Sequence, residues 1–186
     1  SSKDDLVLYM ADTVFGEHPF PRHAPPGWRD SLELAARLMW TVCRRHPWAA
    51  EALSMTRPRV APNLLAYTEW VLAVLRRFDM PTNEMMYTHL NLYGHVRGMA
   101  LTLQSETQAR QDTGMTHQEW IETEEPALEN LLATGRYPAM EHVVAGDFDY
   151  DLDKVFEYGL RLLLDGVDRQ LRDYTEQPAN NARRDR

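Results

Sequence analysis

FEYGLRLLLDGV, residues 156–167, decides the fold. On a helix of 3.6 residues per turn, the apolar side chains and glycines between Leu152 and Leu171 fill an arc of roughly 200°, about twice the stripe that faces one core. Two neighbours must share such a helix. A dimer seam is the simplest arrangement, and an ordinary buried helix is the alternative. Gly159 and Gly166 fall on one stripe, where missing side chains let another backbone approach despite a helix cost of roughly 1 kcal/mol each. The opposite face places Glu157 with Arg161, Asp165 with Arg169 and Asp168 with Arg172 at i, i+4 spacing, which predicts ion pairs along a wet face.

Upstream, helical periodicity recurs between proline and glycine punctuation and strand alternation is absent, so the chain reads as all-α with about seven or eight helices. Ser2 and Asp5 form a capping box that opens a helix, which Gly16 closes. A proline-rich loop covers 17–27. Leu32, Ala35, Ala36, Met39, Trp40 and Cys43 then trace one side of a helix from Trp28 that must end before Pro47. Pro47 starts a short helix to about Met55. Pro62 opens a helix with Leu64, Tyr67, Val71, Val74 and Leu75 on its face, beside Trp70. Pro81 opens the longest helix, which Gly114 ends.

That long helix, 81–112, carries two apolar rows and a third containing Gly94, Gly98 and Leu101, another place for a close backbone. Thr116 and Glu119 cap a helix that Pro126 should kink and Gly135 should end. A short helix follows over 137–145. Asp147, Asp149 and Asp151 crowd the start of the last helix, where carboxylates suit the unpaired amides and the positive dipole end. The polar stretch 176–186 reads as a disordered tail.

The 186 residues are 44% hydrophobic, enough for one domain with a single core, expected over 1–175. A net charge of −8 argues against a broad phosphate-binding surface. It points toward cationic ligands instead, although most carboxylates should lie on solvated faces. One cysteine, Cys43, excludes an internal disulfide framework and sits on an apolar helix face. With no signal-like start and no apolar run of ~20 residues, a cytoplasmic protein without a membrane segment is expected.

Enzyme signatures are missing. The run DFDYDLD lacks the glycine and the closing glutamate of a calcium loop. No two histidines stand three or four residues apart, and no Glu-x-x-His pair occurs, so no metal is expected. Phosphate-binding glycine loops and nucleophile elbows are absent too, so no cofactor and no catalytic activity are expected. What remains is a surplus of aromatic and sulfur side chains, among them Trp40, Trp48, Met55, Tyr67, Trp70, Met85, Met86, Tyr93 and Trp120. They suit the walls of a pocket in which His89 or Tyr93 orients a ligand, or they simply pack together.

SKDDL at 2–6, the paired Trp28 and Trp40, RHPW at 45–48, PNLL at 62–65, YGHVRG at 93–98, RYP at 136–138 and FEYGLRLLLDGV together resemble the C-terminal regulatory domain of TetR-type repressors, in the branch near the tetracycline repressor. The resemblance spans most of the chain. It implies a homodimer in which helix 81–112 and helix 151–174 form a four-helix bundle with their copies. The seam would take in Gly94, Gly98, Leu101, Val155, Phe156, Gly159, Leu160, Leu163, Gly166 and Val167. It also implies a pocket for a small hydrophobic or aromatic effector, enclosed by Trp40, Tyr67, Trp70, Met86, His89, Tyr93 and Trp120.

In that family the segment around Ser2 to Leu6 joins a DNA-reading helix-turn-helix half, expected to lie outside this chain, whether removed or naturally absent. An effector would move the connecting helix, 3–15, so that paired recognition helices no longer match their half-sites. The coupling available is about 1 to 3 kcal/mol. The tetracycline-binding members use a magnesium ion held by histidine, but no matching motif surrounds His89 or His95, so no metal is carried over. A structural dimerisation module with a filled core is the rival reading.

Overall fold

The computed structural model describes residues 2–146 and 148–184, with side chains through 175. Asp147 and the expected tail at 176–186 therefore lie outside the fully described residues. Among the described residues eight helices follow one another: α1 Lys3–Gly16, α2 Trp28–Arg45, α3 Ala49–Ala52, α4 Pro62–Arg76, α5 Thr82–Thr113, α6 His117–Leu132, α7 Pro138–Ala145 and α8 Leu152–Arg184. No strand occurs among the described residues.

The helix ends follow local chemistry. Both expected capping boxes form, Ser2 with Asp5 and Thr116 with Glu119. Gly114 ends α5 at φ 73°, and Gly135 follows α6 at φ 68°, both in the left-handed region that glycine enters without steric cost. The Asp151 carboxylate accepts the amides of Asp153 at 2.8 Å and Lys154 at 3.3 Å, the capping role expected of that aspartate. α4 starts at Ala61, which has no capping side chain. Its cap comes from α1 instead: Asp12 Oδ1 accepts the amides of Asn63 at 2.7 Å and Leu64 at 3.2 Å. α6 continues through Pro126.

The core lies between α2, α4, α5 and α8. Leu32, Ala35, Ala36, Met39 and Cys43 of α2 meet Val71 and Leu75 of α4, Leu92, Val96 and Ala100 of α5, and Phe156, Leu160 and Leu164 of α8. The alanines let the helix axes approach. Burial pushes the Cys43 thiol up to about 12, as befits a small core residue.

α8 corrects part of the expected seam. Phe156, Leu160 and Val167 are 0%, 1% and 5% exposed within the single chain, so their surface is taken up mainly by this chain's own core. With Leu164 and Leu171 they form one i, i+3, i+4 stripe that this chain's own core consumes. Gly159 is also used internally, because a Cβ there would overlap Cε1 of His95 on α5. A Cβ built at Gly94 would meet the Met55 side chain of its own chain at 3.5 Å. The other half of the wide arc stays uncovered: Val155 and Leu162 are exposed, Leu163 is half-buried, and nothing lies within 4 Å of a Cβ built at Gly166 or at Gly98 of α5. Leu101 is half-buried beside them.

The expected ion pairs of α8 are redrawn too. Asp168 does bind Arg172, but Glu157 takes Arg37 at 2.9 Å and Asp165 takes Arg29 at 2.8 Å, both from α2. The polar face is a clamp to α2 there, because Arg29 and Arg37, eight residues apart on that helix, reach across to it.

α6 and α7 differ from the rest. Neither has a buried residue, and they pack chiefly on each other. Trp120, Ile121, Leu131, Met140, Val143 and Val144 of this hairpin are all exposed.

Candidate effector cavity

α1, α3, α4 and α5 enclose a cavity of about 270 Å³. Leu8 and Phe15 of α1 form one wall, Tyr67 and Thr68 of α4 a second, and Met86, His89 and Tyr93 of α5 a third, while Met55 and Arg59 reach in from the loop before α4. Spacing explains the α5 wall: residues 86, 89, 90 and 93 recur at three and four, so they share one side of that helix.

At the inner end three rings group together. Centroids of Tyr67 and His89 are 6.0 Å apart, those of His89 and Tyr93 6.2 Å, and those of Tyr67 and Tyr93 6.4 Å. His89 Nε2 lies 3.5 Å from Thr68 Oγ1. Its Nδ1, and the Tyr67 hydroxyl, are buried without any hydrogen-bond partner among the described residues. A buried polar atom left unpaired costs about 1–3 kcal/mol, so these two are open valences for a guest. Burial lowers the His89 pKa and so favours the neutral ring at pH 7. Burial also raises the Tyr67 hydroxyl and pushes Tyr93 up to about 12, which keeps both phenols protonated.

Of the seven side chains expected in the pocket, Tyr67, Met86, His89 and Tyr93 line this cavity. Trp40 does not. Its ring stacks on Phe156 at 4.8 Å and its Nε1 donates to Asp153 Oδ1 at 2.9 Å. Trp70 stacks on Phe20 at 4.4 Å and donates to the Ser31 carbonyl at 2.9 Å. Both are satisfied packing residues with no valence to offer. Trp120 is 50% exposed on α6, away from the cavity of its own chain.

Leu8, Phe15 and Arg59 were not anticipated as lining. The first two share a stripe of α1, seven residues apart, which helical spacing makes readable; a loop arginine gives no such signal. The acidic balance expected to draw cations is not expressed here either: no Asp or Glu lines the cavity, and Arg59 carries its formal charge.

On the far side of Phe15 and Tyr67 lies a second hollow of about 250 Å³, walled also by His18, Phe20 and Met39. No group of three or more His, Cys, Asp or Glu side chains able to hold a metal ion occurs among the described residues.

Comparison with known proteins places this architecture. The HTH-type transcriptional repressor DrrR1 of Streptomyces coeruleorubidus is 34% identical over 167 residues, 89% of this chain and 61% of that protein. An HTH-type transcriptional regulator of Saccharopolyspora erythraea is 32% identical over 171 residues, 90% of this chain and 66% of that protein. The chain thus spans under two thirds of each relative's length. Both relatives are named as regulators, not as enzymes. Among solved structures, the Streptomyces coelicolor TetR family protein ActR in complex with actinorhodin superposes with a TM-score of 0.71 at 23% identity, over 89% of this chain and 75% of that one. ActR in complex with (S)-DNPA gives 0.69 at 22% identity, over the same shares. The family profile described as "Tetracyclin repressor-like, C-terminal domain" matches residues 20–171, and the chain belongs to that family.

Proposed function

We propose that this chain is the effector-sensing and dimerising part of a transcriptional repressor, acting in the cytoplasm, with residues 1–175 as the sensing domain and DNA contacted only through a helix-turn-helix segment of a longer protein. A small hydrophobic or aromatic effector enters the cavity, and the repressor then leaves its operator. The observation that carries this reading is the pair of open valences, Tyr67 OH and His89 Nδ1, at the buried end of a mainly apolar cavity. A filled structural core would leave neither the space nor the unpaired atoms. The relatives named as regulators and the ligand-bound ActR structures support the same reading.

Moving α1 is the output. Leu8 and Phe15 are cavity walls, so a guest that prefers a different spacing of α1 and α5 shifts α1 and whatever is joined to it. Dimerisation rests on two uncovered surfaces: the stripe of Val155, Leu162 and Gly166 beside Gly98 and Leu101, and the α6–α7 hairpin, whose apolar side chains stay exposed in the single chain. A second copy covers both. No described helix is long and apolar enough to cross a membrane.

Calorimetric titration with a panel of aromatic and amphipathic compounds tests the sensor. Saturable binding that weakens in Tyr67→Phe and His89→Phe variants is expected, followed by effector-dependent release of operator DNA by the full-length repressor. No binding by any compound favours the filled-core dimerisation module. Light scattering tests the dimer, and a monomer at micromolar concentration would overturn it.

A further inference from the structure

Arg59 is the charged residue lining a cavity that is otherwise neutral, in a chain of net charge −8. Its guanidinium is also a tie to α1: Nη1 donates to the Asp4 carbonyl at 2.6 Å, and Nη2 donates to Asp5 Oδ1 at 2.8 Å. Asp4 and Asp5 belong to the first turn of α1. Arg59 therefore lines the cavity with a partly exposed side chain whose guanidinium holds the end of the helix that forms the cavity wall. A planar, bidentate donor of this kind pairs best with a carboxylate, sulfonate or phenolate. We propose that the effector is an amphipathic anion whose charged group takes Arg59 from Asp4 and Asp5, so that binding unfastens the first turn of α1. The inference rests on the cavity being the effector site. It goes further by naming the charge of the ligand and the bond that transmits its arrival.

The competition has a thermodynamic signature, because whatever weakens the tie strengthens the ligand, by at most the same factor. Two probes of similar size, the anion 1-anilinonaphthalene-8-sulfonate and the neutral N-phenyl-1-naphthylamine, are titrated into the whole 186-residue chain and followed by their fluorescence. Arg59→Gln should weaken the sulfonate roughly tenfold, the loss expected for one charge-assisted contact, and leave the neutral probe within about twofold. Asp5→Asn, which removes the rival carboxylate, should tighten the sulfonate roughly twofold. Ala52→Trp, which fills the cavity, should abolish both. If Ala52→Trp abolishes both probes while Arg59→Gln weakens them equally or not at all, the anion inference alone is overturned. If neither probe binds, or both survive Ala52→Trp, the cavity reading fails and takes the inference with it.

Discussion

The imidazole of His95 lies stacked on the ring of Phe156, with centroids 5.5 Å apart and planes 13° apart, and its Nε2 is 3.0 Å from the Phe156 carbonyl oxygen. This pairing occupies the space beside Gly159, which makes the glycine a requirement of packing between α5 and α8 of one chain. Gly159→Ala should destabilise by roughly 1–3 kcal/mol, the usual cost of overpacking a core. Gly166→Ala, with open space around it, should instead stabilise the single chain by up to about 1 kcal/mol through helix propensity while weakening self-association. Urea midpoints and a light-scattering dilution series read the two effects. Equal loss of stability in both variants would contradict this division of labour.

Acidification should loosen the clamp between α2 and α8. The Arg37 guanidinium, bonded at 2.9 Å to each oxygen of Glu157, holds that carboxyl below its ordinary range, and Arg44 does the same for Asp153. A carboxyl depressed in the fold stabilises it above the unfolded pKa, near 4.5 for Glu157 and 3.8 for Asp153, and the contribution is lost as pH falls through the folded value. These pairs are half exposed, so Arg37→Ala should cost under about 1 kcal/mol at pH 7. Wild type and variant should converge by about pH 3. A gap that persists there would place the effect in packing of the arginine stem.

His89 gives a second, separate pH response. Burial lowers its pKa, so the unfolded chain takes up the proton first, at about the ordinary value of 6.5. Stability then falls as pH drops below that value, with a slope of at most about 1.4 kcal/mol per pH unit. His89→Asn should flatten the stability profile between pH 7 and 5. An unchanged slope would assign the proton uptake elsewhere.

Asp12 links α1 to the start of α4. Removing its carboxylate in Asp12→Ala leaves the Asn63 and Leu64 amides without that acceptor, at a cost of about 0.5–2 kcal/mol typical of a lost helix cap. Chemical denaturation measures it. The same cost in Asp12→Asn would show that charge rather than shape matters, since an amide oxygen can still accept.

The helix boundaries were readable because they depend on near neighbours in sequence: Ser2 with Asp5, Thr116 with Glu119, proline opening α4 and preceding α5, glycine after α5. What a helix face meets is not local. Trp40 and Trp70 carry the same signature as a pocket wall, since cores and cavities both recruit large rings; only the Asp153 and Ser31 partners tell them apart. The broad apolar arc of α8 was legible, but not how it divides. Phe156 and Leu160 went to the chain's own core because His95 of α5 arrives at Gly159. Arg59 was invisible for a different reason: its meaning comes from Asp4 and Asp5, over fifty residues away.

Phe15 and Tyr67 stand as a thin partition between two chambers of about 270 and 250 Å³. Side-chain rings turn between rotamers far more cheaply than helices move. The partition between the chambers is thus set by two side chains, and a change of their rotamers would join the hollows without prying the bundle apart.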